Sequence, residues 1–177
     1  MIKIRIGGWA GQGIALAGNI LAASLALKQG MYAVQKRSYS AAVRSSISHS
    51  DVIADREPLD ELVVDVPDYL IVLYQETLDQ WRDIACGSGT LIIDSTRVSA
   101  SRIQCKTVSV PAGEIAEKSG SSKSANMVLL GALAGCSSEV DLEALKNTVR
   151  DNLPSPSIEM NLDALQKGYE VVREGKP

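Results

Sequence analysis

The spacing of apolar residues changes twice in the first 36 positions. Ile2, Ile4 and Ile6 alternate with Lys3 and Arg5, which predicts a strand over 2–6 with one buried face. Beyond Gly7-Gly8-Trp9-Ala10-Gly11-Gln12-Gly13 the period lengthens. Ile14, Ala17, Leu21, Leu25 and Lys28 fall at helical spacing through a proline-free stretch. Gly30 ends that helix, and residues 32–36 read as a second strand. Residues 37–51 break the pattern: Ser38, Ser40, Ser45, Ser46, Ser48 and Ser50 interrupt them, so they are predicted to be an exposed loop or arm. Val52-Ile53 reads as the end of a strand.

Downstream, short apolar runs predict buried strands at 69–73, 90–93 and 106–110. A helix over 76–86, closed by Gly87, fits between the first two. The last third is helical. Residues 111–118 start it, 119–124 break it, and Ser124 is a candidate cap for 125–133. Two more helices are predicted at 141–151 and 157–172, with Pro154-Ser155-Pro156 expected to impose an extended link. The pattern predicts one α/β domain over 1–177: a Rossmann-like, doubly wound, mostly parallel sheet with helices on both faces and a helical C-terminal third.

Composition narrows the function. With 45% hydrophobic residues but two Trp, five Tyr and no Phe, the core must be aliphatic. The net charge of −3 argues against a nucleic-acid-binding protein. No apolar run reaches the roughly 18–20 residues needed to span a bilayer, and the start lacks the apolar segment of a signal peptide. Cys86, Cys105 and Cys136 are far apart and form no C-x-x-C pair, so neither an iron–sulfur cluster nor a zinc knuckle is predicted. A reducing cytoplasm is the simplest setting.

The glycine turn is the main candidate for chemistry. Free N–H groups at a helix N-terminus attract anions, although tight strand-to-helix packing explains such a turn equally well. A P-loop would need Lys and then Ser or Thr after the last glycine, where Ile14 and Ala15 stand. The dinucleotide fingerprint aligns with Gly8, Ala10 and Gly13, so its middle glycine is missing. The second strand ends in Lys36-Arg37, not in the acid that would bind a ribose hydroxyl. NAD is therefore disfavoured, while NADP or coenzyme A, each with a ribose-bound phosphate, survives. His49 lies near Ser48, Ser50 and Asp51, but neighbours on a strand point to opposite faces and this cluster is no triad.

Several motifs in order resemble a known family. They are Gly8-Trp9-Ala10-Gly11-Gln12-Gly13, Ser38-Tyr39-Ser40-Ala41-Ala42-Val43-Arg44, Glu57-Pro58-Leu59, Pro67-Asp68-Tyr69-Leu70-Ile71-Val72-Leu73, Asn126-Met127-Val128-Leu129-Leu130-Gly131-Ala132-Leu133 and the segment from Asn161 to Tyr169. Over residues 4–170 the chain resembles the γ subunit of 2-oxoacid:ferredoxin oxidoreductases. It departs at Ala10, and at Ser45-Ser46 where the family has Gly-Gly.

The resemblance implies a subunit without catalytic residues of its own. The complex would convert a 2-oxoacid to acyl-CoA and CO2 and reduce ferredoxin. Thiamine diphosphate, magnesium and iron–sulfur clusters would sit in α, β and δ partners, and this chain would help to admit coenzyme A. The implied contacts are Gly8, Gly11, Gln12 and Gly13 in the turn, with Lys36, Arg37 and Arg44 for phosphates. Ser95 and Asn126 are further candidates; the structural alternative is a helix or turn cap for Asp94-Ser95, and for Asn126 a tie between a loop and the start of a helix. The smaller subunit of indolepyruvate:ferredoxin oxidoreductase and a free-standing NADP-binding regulatory domain are the competing readings. The 2-oxoacid and the state of the isolated chain, a homodimer included, stay open.

Overall fold

The computed structural model describes residues 1–39, 47–101 and 103–175. In chain order the elements are β1 (Ile2–Trp9), α1 (Ile14–Ala23), β2 (Tyr32–Tyr39), β3 (Ile47–Asp55), β4 (Tyr69–Val72), α2 (Gln75–Gln80) and α3 (Arg82–Gly87). After them come β5 (Thr90–Asp94), β6 (Thr107–Val110), α4 (Ala112–Lys118), α5 (Ala125–Cys136), α6 (Leu142–Asn152) and α7 (Ser155–Glu174). A π-helical turn, Ser24–Lys28, extends α1.

Six strands form one sheet in the order β2-β3-β1-β4-β5-β6. The pairings β1–β4, β4–β5 and β5–β6 are parallel, whereas β3 runs antiparallel to both β1 and β2. The predicted α/β architecture is therefore observed, with one reversed strand inside it.

Alternation explains the layers. Ile2, Ile4 and Ile6 face a large aliphatic core built with Leu21 of α1, Leu130 of α5 and Leu165 of α7. The other sheet face packs Leu70, Val72, Leu91 and Ile93 against Leu78, Ala85 and Trp81. Helix α5 is buried from Ala125 through Gly135, which a uniformly apolar helix requires.

Five local expectations change. The predicted arm at 37–51 is ladder at both ends, while residues 40–46 lie outside the described residues: β2 continues to Tyr39 and β3 starts at Ile47, with Ser50 hydrogen-bonded by Gln35 Nε2 at 2.8 Å. The serine-rich pattern concealed a strand in which Ser50 and Asp51 have side-chain partners on the neighbouring strands. The first strand runs to Trp9, so Gly7 and Gly8 belong to the ladder. The single helix predicted over 76–86 is two short ones that meet at Trp81. Ser124 precedes α5 but caps it with no side-chain bond. Pro154-Ser155-Pro156 opens α7 instead of preceding it, because Pro lacks only an N–H that the first turn leaves unused. Arg44 and Ser45-Ser46 lie outside the described residues.

Candidate functional site at the switch point of the sheet

After β1 the chain crosses to the face of α1; after β4 it crosses to the opposite face, where α2 and α3 pack. The carboxyl ends of β1 and β4 therefore form the switch point at which open α/β sheets receive ligands. The glycine turn lies there.

Gln12 builds the turn. Its Oε1 accepts the Trp9 N–H at 2.6 Å, its Nε2 donates to the Leu73 carbonyl at 3.3 Å, and its N–H donates to the Trp9 carbonyl at 3.2 Å. One amide thus closes the turn and ties it to the end of β4. Gly8 is what lets that amide in, since a side chain there would meet Gln12 Oε1 at 2.5 Å and Leu73 Cβ at 3.1 Å. Gly11 and Gly13 have φ of +92° and +71°, the left-handed region that favours glycine. The Gly13 carbonyl accepts from Asn126 Nδ2 at 3.0 Å and from the Ala17 N–H at 2.9 Å, which starts α1.

The exposed part of the site is Ala10 and Gly11. No atom lies within 4 Å of where a Gly11 side chain would begin. The first turn of α1 carries no acid and no side-chain cap, so its N–H groups retain their partial positive charge. Beside the turn, the half-buried rings of Trp9 and Tyr74 pack at 5.1 Å with a 48° tilt. The arrangement can hold an anionic group against backbone N–H groups with an aromatic edge nearby.

Asn126 is buried, and its Oδ1 accepts the Met127 N–H at 2.8 Å, so it ties the turn to the start of α5. Lys36 and Arg37 are separated. Lys36 opposes Asp51 and lines a cavity of about 350 Å³ with Arg5, His49 and Asp65. Arg37 opposes Ser50 on the α1 face, where its Nε donates to Gln35 Oε1 at 3.3 Å. Strand β3 separates β2 from β1, which places the end of β2 about 10 Å from the turn by strand spacing. Ser95 is exposed and lines a cavity of about 650 Å³ with residues of α4 and α7. Its neighbour Asp94 caps α4: Oδ1 accepts from the N–H groups of Thr96 and Gly113, both at 3.1 Å.

A second polar cluster escaped the sequence reading. Arg5 forms a fork with Asp51, Nε to Oδ1 and Nη2 to Oδ2, both at 2.7 Å, and lies 5.6 Å from the Trp81 ring centroid. His49 meets Trp81 edge-on at 5.5 Å. Burial lowers the His49 pKa; Asp51 opposes that shift, while Arg5 and Lys36 add to it. No sequence signal links positions so far apart. Tyr74, by contrast, directly follows a predicted strand and could have been suspected.

Among the described residues no three His, Cys, Asp or Glu side chains converge to hold a metal. No helix among them is long and apolar enough to cross a membrane.

The fold and this turn define an open α/β domain with a glycine turn at its switch point. The chain belongs to the pyruvate ferredoxin/flavodoxin oxidoreductase family, whose pattern matches residues 3–171. It is 35% identical to the 2-oxoglutarate synthase subunit KorC of Methanothermobacter marburgensis, over 98% of each chain. The gamma subunit of a keto/oxoacid ferredoxin oxidoreductase from Geobacter sulfurreducens matches with a TM-score of 0.82 and 30% identity, over 99% of both chains. The 2-oxoglutarate:ferredoxin oxidoreductase of Magnetococcus marinus was solved with 2-oxoglutarate, coenzyme A and succinyl-CoA bound. It shares the fold at a TM-score of 0.85 and 23% identity, over 99% of this chain and 31% of that one. The family resemblance drawn from the motifs is thereby established.

Proposed function

We propose that the chain is the γ-type subunit of a 2-oxoacid:ferredoxin oxidoreductase and that its glycine turn receives the phosphates of coenzyme A. The observation that carries this reading is the left-handed Gly11–Gly13 turn, exposed at the switch point and tied down on both sides by Gln12 and Asn126. Oxidative decarboxylation would occur on thiamine diphosphate and magnesium held by partner subunits, with electrons leaving through partner iron–sulfur clusters to ferredoxin. This chain would contribute binding and orientation only. Arg37, on the α1 face, is better placed than Lys36 to reach such a ligand, and Ser95 is two strands away from the turn.

The relatives named KorC make 2-oxoglutarate the first substrate to try. A free-standing NADP domain fits less well, because β3 intervenes where a dinucleotide fold places its second strand beside the first.

The test uses the assembled complex. Ala10 is exposed in the turn and outside the left-handed region, so Ala10→Asp adds a charge without straining the backbone. One repelled phosphate, at about 1.4 kcal/mol, should raise the KM for coenzyme A about tenfold and leave the KM for the 2-oxoacid unchanged. Unchanged coenzyme A kinetics would overturn the assignment of the turn. Decarboxylase activity from the chain alone would overturn the subunit reading.

A further inference from the structure

The segment from Arg56 to Asp68, between β3 and β4, contains no helix or strand yet is firmly held. Lys3 Nζ pairs with Glu61 Oε2 at 2.7 Å, and the Lys3 N–H donates to Asp68 Oδ2 at 2.7 Å. Arg5 Nη2 donates to the Val64 carbonyl at 2.7 Å, and the Val64 side chain is buried. Held in this way, the segment turns Leu62, Val63 and Val66 outward at 52%, 49% and 56% exposure. Single exposed apolar residues are ordinary, but three within five positions of a pinned loop are not.

The patch extends beyond the loop. Val63 lines the 350 Å³ cavity together with Ile84 of α3, and Val66 lies beside Gly87 at the end of α3. Its border is acidic on balance: Glu57, Asp60 and Asp65 are exposed and form no ion pair among the described residues, against Arg56 in the loop and Lys36 across the cavity, while Arg5 is held by Asp51. A second copy docked two-fold on this patch would set acid against acid. In the Magnetococcus marinus enzyme the same fold makes up 31% of a longer chain, so there the domain adjoins further protein.

We infer that this apolar, acid-bordered surface is the seat of a partner subunit that presents apolar side chains flanked by Lys and Arg. The inference rests on the subunit reading above.

Co-expression with the subunits of a 2-oxoacid oxidoreductase tests both separately. Leu62→Asp/Val66→Asp should reduce co-purification with a tagged partner at least tenfold. Asp60→Lys/Asp65→Lys should weaken it, with a reduced dependence on salt. Leu27→Asp, at an equally apolar site that is 77% exposed on the π-turn after α1, should assemble like the wild type. All three should melt with the wild type as isolated chains, because the replaced side chains are exposed. Wild-type-like assembly of both patch variants would overturn the surface and leave the subunit reading standing. Sedimentation showing a wild-type homodimer that the patch variants abolish would likewise overturn it in favour of a second copy. A wild-type chain that assembles with no such subunit would overturn both.

Discussion

Gly11 and Gly13 have similar backbone angles but different surroundings, and that difference can be measured. Alanine at Gly11 meets open space and costs only left-handed strain, about 1–2 kcal/mol. At Gly13 the added methyl would also press on Asn126 Nδ2 and displace the donor of the Gly13 carbonyl, for roughly 1–3 kcal/mol more. Urea unfolding should therefore rank wild type above Gly11→Ala, and Gly11→Ala above Gly13→Ala. Equal losses would mean that Asn126 does not hold the turn. The glycines themselves were legible in the sequence, since their spacing marks a strand-to-helix turn. The tie from Gln12 to Leu73 was not, because it spans 61 positions; for Asn126 a tie between a loop and a helix start was one of two open readings, and only tertiary packing across 113 positions selects it.

Among the elements, β3 shows where pattern reading fails. Its first four residues, Ile47-Ser48-His49-Ser50, lack the apolar alternation that marked β1, yet the strand lies inside the sheet. Its polar groups are paired across strands instead: Ser50 with Gln35, and Asp51 with Arg5. Burial of Asp51 makes the second pair expensive to break. Its side chains are 13% and 9% exposed, against 33% and 57% for the Lys28–Asp151 pair that joins the end of α1 to α6. Arg5→Met would leave the Asp51 carboxylate without its partner and should cost about 3–5 kcal/mol. Lys28→Met should cost at most about 1 kcal/mol. Chemical denaturation of the two variants checks the contrast, and comparable losses would show that water reaches Asp51. The helices of the last third were easier to read because their periodicity is long and their contacts are mostly local to the helical layer. Even there α7 begins earlier than its prolines suggested, since the first helical turn tolerates them.

For the whole molecule, the two sheet faces carry different tasks. One face buries the aliphatic core against α1, α5 and α7. The other holds a thinner apolar layer around Trp81 together with the Arg5–Asp51–His49 cluster. That cluster makes overall stability depend on pH in a predictable direction. His49 is the sole histidine, and its folded pKa lies below the ordinary 6.5 because burial disfavours the imidazolium. Arg5 and Lys36 add to that effect and Asp51 opposes it. Well above 6.5 the ring is neutral in both states, and its titration contributes nothing. As pH falls through 6.5 the unfolded chain takes up the proton first, so it binds more protons than the native state and stability declines. The decline ends once pH drops below the folded pKa, leaving a constant deficit. His49→Gln loses the edge contact with Trp81 at every pH but removes this slope. Unfolding free energies of both proteins, measured in urea from about pH 8 to about pH 5, isolate the effect, because the carboxylates common to both cancel in the difference. The wild-type advantage should be constant above about pH 7 and shrink steadily below it. An advantage that stayed level over the whole range would show that the native state accepts the imidazolium without penalty, with Asp51 outweighing burial.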